Sequence, residues 1–159
     1  MLAPQEYDLK DFIMPVDEEA RGSFAESVQN LQGLVFILDD NIELAKQQFQ
    51  SVLEKTDNPM SKTISQLYLL QIALIEGDNK KAEEYASIRG VKSFLSIKTA
   101  DMQIIQAWYQ FKVKKDVVQT HKAMKIARHK MNSSRMLRDE KSYYQNWLAE
   151  LEKELTEGV

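Results

Sequence analysis

Lys122, Lys125 and His129 stand at i, i+3 and i+7, the spacing that sets three side chains on one face of a helix. Arg128 and Lys130 flank them, and Arg135, Arg138 and Lys141 follow a few residues later. Cations gathered in this way have one chemistry to offer, the binding of anions: phosphate groups, an acidic peptide or an anionic lipid surface. The competing reading is a solvated helix face, balanced by the acidic first 22 residues or by the acids between Glu150 and Glu157. A specific nucleic-acid role is disfavoured by the overall net charge of −3.

Covalent and metal chemistry find no foothold in the motifs. The two histidines, His121 and His129, are eight residues apart with no carboxylate at ligand spacing, so no metal site is expected. His121 falls on an apolar stripe with Val117 and Met124 and is expected to be a core or half-buried histidine. There is no His-Glu-x-x-His, no glycine-rich phosphate loop and no nucleophile elbow. The absence of cysteine removes thiolate ligands, cysteine nucleophiles and disulfides, and fits a reducing cytoplasm. Paired acids such as Asp39-Asp40 and Glu83-Glu84 sit at helix ends or surfaces, where the helix dipole accounts for them. The expectation is a non-enzymatic protein without a cofactor.

The elements that would carry these residues are all helical. Only 5 glycines and 3 prolines punctuate the 159 residues, and no run has the period of a strand or the length of a membrane span. Residues 1–22 read as an acidic arm broken by Pro4 and Pro15, yet it carries Tyr7, Leu9 and the run Phe12-Ile13-Met14, which predicts docking. Residues 23–159 read as one domain. Ser23 with Glu26 predicts a capping box opening the first helix, whose stripe runs from Phe24 to Leu38. Breaks are expected at Asp39-Asp40-Asn41, Thr56 to Pro59, Gly77-Asp78, near Gly90, at Lys114-Lys115-Asp116 and at Asn132-Ser133-Ser134. Ser61 is a candidate cap of the third helix, which is apolar nearly all round and should be the most buried. Residues 91–97 are ambiguous between a loop and a short helical turn.

Helix pairs recur. Placing Ala45 over Ala82 aligns two of them: Gly33 and Phe36 precede Ala45 by twelve and nine residues and Phe49 follows by four, while Gly77 precedes Ala82 by five and Ala86 follows by four. Small residues at helix crossings and aromatics in the grooves, at these offsets, resemble the tetratricopeptide repeat. The resemblance covers about residues 26–134, in units 26–59, 63–97 and 101–134, followed by a capping helix at 135–157. The third unit departs from the pattern, with Trp108 in a small-residue position, and the unit spacings exceed 34 residues. It implies an all-α fold of antiparallel helix pairs stacked as a short right-handed solenoid. An unrelated helical bundle is the alternative.

The resemblance also implies a binding groove lined by the first helix of each pair. Carried over by position, it comprises Asn30, Leu34 and Ile37, then Leu67, Gln71, Leu74 and Ile75, then Met102, Ile105, Tyr109 and Lys112. If open, it would suit an amphipathic helix or extended peptide of a protein partner. Otherwise these residues face other helices, or the arm fills the groove.

Two further functions stay open. Leu137, Tyr144, Leu148, Leu151 and Leu155 form a near-heptad seam that would serve a homodimer or pack on the last repeat. The residues from 112 to 141, with a net charge of +7 against −8 for residues 1–59, would serve an anion-binding module.

Overall fold

The computed structural model describes residues 18–133 and 136–157. Among them are eight helices and no strand: α1 (Glu18–Leu38), α2 (Ile42–Lys55), α3 (Pro59–Glu76), α4 (Asn79–Ala86), α5 (Arg89–Leu95), α6 (Ala100–Tyr109), α7 (Val117–Met131) and α8 (Arg138–Glu157). A wider π-turn over Gln110–Lys114 continues α6. None of these helices is long and apolar enough to cross a membrane.

Local chemistry sets most of the boundaries. The Asn58 side chain accepts from the amides of Met60 and Ser61, with Pro59 in the first turn, so Asn58 caps α3 and Ser61 does not. Gly77 ends α3 at φ 75°, a left-handed position that costs glycine nothing, and Asp78 caps α4 through the Lys81 amide. Asp116 caps α7 through the Gln119 amide. Two expected boundaries move. α1 begins at Glu18, so Ser23 lies inside the helix rather than at its start. Gly90 does not end α4 but sits within α5, the short helix of the ambiguous stretch.

Three helix pairs follow: α1 with α2, α3 with α4, and α6 with α7, with α5 bridging the second and third. The first pair crosses at Gly33. A Cβ there would lie 2.5 Å from two ring carbons of Phe49, which is fully buried. Tyr68 of α3 stacks on the same ring, with centroids 5.3 Å apart. Gly33→Ala should therefore destabilise the fold. Overpacking costs about 1–3 kcal/mol, offset by up to about 1 kcal/mol of helix propensity. Urea unfolding checks this; a more stable variant would mean that the crossing is looser than described.

Asn30 ties the first pair to the second. Its Nδ2 donates to the Ser61 carbonyl at 3.2 Å and its Oδ1 accepts from Ser65 Oγ at 2.7 Å, all three residues being buried. A small core surrounds Ile37, Ala45, Phe49, Leu69 and Ile72, and a larger one runs from Leu67 through α6 and α7 to Leu155 on α8.

Candidate functional site

The first helices of the three pairs meet along one face, and α8 lies across it. α8 contacts α1, α6 and α7, and reaches α3 through Tyr144, whose hydroxyl donates to Gln71 Oε1 at 3.1 Å. It runs in the same sense as α6. Glu140 stands near Asp101, Trp147 stacks on Trp108 (5.3 Å, planes 17° apart), and Lys112 Nζ pairs with Glu154 at 2.9 Å. Trp108 Nε1 also donates to the Trp147 carbonyl.

This placement corrects the expectation of an open groove. Asn30, Leu34, Ile37, Leu67, Gln71, Leu74, Met102, Ile105 and Tyr109 are buried. Lys112 is half-buried under its ion pair, and only Ile75 counts as exposed. Their burial has several sources: Asn30 bonds α3, Ile37 packs with Ala45 and Phe49 of α2, and α8 seats on Gln71 and Lys112. Tyr144, Leu148, Leu151 and Leu155 are spent on this seat, while Leu137 is 77% exposed. The near-heptad seam is therefore occupied within the chain, and α8 covers more than the last pair. The arm offered as another occupant lies, in residues 1–17, outside the described residues.

Burial shapes the tyrosines at the seat of α8. The Tyr144 hydroxyl is pushed well above its ordinary range by burial, with Tyr68 and Asp101 adding to the effect. Tyr68 is raised by burial and by the nearby Asp101 and Glu140. Tyr143 is raised too, chiefly by burial.

The basic cluster is real in position but partly spoken for. Lys122, Lys125, Arg128, His129 and Lys130 are all exposed on α7, and Arg138 is exposed at the start of α8. Arg128 is paired, its Nη2 lying 2.6 Å from Glu152 Oε1 on α8. Arg135 lies outside the described residues. His121 is exposed, contrary to expectation, because the inward face of α7 is turned part of a residue step from the expected stripe: Thr120, Ala123, Met124, Ala127 and Met131 are buried, so Met124 keeps its place while Val117 and His121 face out. No group of three metal-ligating side chains occurs among the described residues.

What α8 leaves open is a trough at the N-terminal ends of α3 and α6. Two hollows of about 310 and 300 Å³ share Phe94 and Ile97. Pro59, Met60, Thr63, Gly90 and Ser93 complete the first; Ile64, Leu67, Tyr68, Thr99, Asp101 and Met102 complete the second. Both are mainly apolar. Met60 is 57% exposed and Ile97 43%. Gly90 lets α5 approach α3 closely enough to form the wall, since a Cβ there would meet Thr63 Oγ1 at 2.7 Å. Leu67 and Met102, two of the groove residues expected from the repeat, do line this trough. Met60, Phe94 and Ile97 were not singled out, although Met60 and Ile97 are apolar residues standing at breaks between helices, where no stripe claims them.

Comparison with protein-family models finds no match to this chain. Searches of curated proteins and of solved structures likewise find none. The described residues form an all-helical fold, with consecutive packed pairs compatible with a helical repeat.

Proposed function

We propose that this chain is a non-enzymatic interaction module of tetratricopeptide-like build, which holds an apolar peptide segment of a protein partner in the trough between α3, α5 and the start of α6. The observation that carries the reading is the open apolar lining around Met60, Phe94 and Ile97. Exposed apolar troughs of this size suit peptide side chains better than polar metabolites. The repeat reading, with the pairs stacked as a right-handed solenoid, is supported by the Gly33–Phe49 crossing and by the full burial of Ala45 and Ala82 at equivalent positions. A cytoplasmic setting belongs to the same reading.

The test is a selection of short peptides on the full chain, followed by binding to variants. Met60→Glu and Ile97→Glu change exposed positions, so melting should hold while binding weakens about tenfold or more. Lys122→Glu with Lys125→Glu should leave binding unchanged. Binders that survive the trough substitutions, but fall with the lysine pair and with rising salt, would transfer the function to the anion-binding face of α7. Mass that rises with concentration would favour the homodimer instead.

A further inference from the structure

We infer that the trough is the docking site of the chain's own N-terminal segment, with Phe12, Ile13 and Met14 seated against Met60, Phe94 and Ile97; the inference rests on the trough being a peptide-binding surface. Three observations converge. The first is chemistry: residues 1–17 combine that apolar run with Glu6, Asp8, Asp11 and Asp17 against a single base, Lys10. The first hollow is apolar, and the segments forming it carry the exposed bases Lys62, Arg89 and Lys92, against the exposed acid Asp57 just ahead of Pro59. Asp101 marks the opposite end, in the second hollow, where Glu140 stands near it. An acidic segment is thus drawn to the end lined by Met60 and away from the other.

The second is position. Glu26 of α1 accepts from Thr56 Oγ1, and Asn30 bonds the Ser61 carbonyl one residue from Met60, so α1 passes directly beside the start of α3. The third is reach. From Asn30 back to Glu18 the helix extends about 18 Å. Phe12 lies six residues ahead of Glu18, and six extended residues span about 20 Å, enough to return along that overhang to Met60. Pro15 sits between the two stretches, where a change of direction is needed.

Docking of this kind would make the segment an internal competitor for any partner peptide, because an attached ligand acts at a high effective concentration. The chain contains no cysteine, so Lys10→Cys with Ser96→Cys, an exposed position beside the trough that does not line it, places one spin-label pair on the full chain without background. Pulsed dipolar spectroscopy should give a narrow, short distance. Phe12→Asp with Ile13→Asp, and separately Met60→Glu, should each reduce that population by about tenfold or more. A broad distribution that neither change moves overturns the inference. A short distance that appears only between singly labelled chains, growing with concentration, overturns it in favour of a second copy as occupant. Should selected peptides bind in a Met60-dependent manner while the label distance stays broad, the segment assignment fails alone and the trough keeps its function.

Discussion

Trp147→Ala is expected to remove about 3–5 kcal/mol of stability, the range for truncating a buried aromatic. That is a large fraction of the roughly 5–15 kcal/mol that holds a typical domain together. The indole is buried between Trp108, which stacks on it, and the Tyr143 and Tyr144 rings. Truncation leaves a cavity whose walls belong to α6 and α8, neither of which can collapse without breaking the Lys112–Glu154 pair or the Tyr144–Gln71 bond. Urea unfolding followed by circular dichroism measures the loss. Hydrogen exchange should then show the amides of α8 opening ahead of those of α3, since the seat that α8 loses is most of what fastens it. An α8 that opens exposes Gln71 and Trp108, its partners in the fold. A loss below about 1 kcal/mol would mean that α8 is not held on α6 as described.

The second large effect is alkaline. Tyr68 and Tyr144 are held neutral in the folded chain, and burial raises both above the ordinary tyrosine value near 10. In the unfolded chain both lose their protons near pH 10. Above that pH the unfolded state binds fewer protons than the folded state, so stability must fall as pH rises; below it the contribution is fully present. Each tyrosine that remains protonated in the fold shifts the folding equilibrium by up to about tenfold per pH unit in this window, and the two together by about a hundredfold. Lys46, raised by its hydrogen bond and ion pair with Glu76, acts in the same direction, but that pair is largely solvated and adds little. Urea midpoints between pH 8 and 11 give the slope. Tyr144→Phe should lower stability at neutral pH by about 1 kcal/mol, the worth of its bond to Gln71, and should make the alkaline slope shallower. A flat profile from pH 9 to 11 would show that neither phenol is buried.

The division between sequence and tertiary structure runs along the range of the forces involved. Sequence alone determined that the chain is helical and where most helices stop. Those outcomes depend on a few adjacent residues: Asn58 before Pro59, Gly77 before Asp78, and Asp116 after two lysines. The meeting of Gly33 with Phe49 was legible for a similar reason, since a missing side chain and a large ring at fixed offsets on paired helices have one efficient way to pack. Sequence also marked Leu34, Leu67, Gln71, Met102 and Ile105 as one face. It did not decide what lies on that face, because an apolar stripe records that a side chain leaves water and not which element it leaves water for. The stripe on α8 was compatible with packing on the last pair and also with a second chain. Tertiary packing chose a site spanning α1, α3, α6 and α7, where Trp108, Gln71 and Lys112 each offer α8 a specific partner. The same reasoning explains His121: on a helix with small, polar and apolar residues on all sides, a partial rotation decides which face turns inward. Contact with α6, the π-turn and α8 sets that rotation. The trough was least legible of all, since it is assembled from the ends of three helices that no local spacing connects.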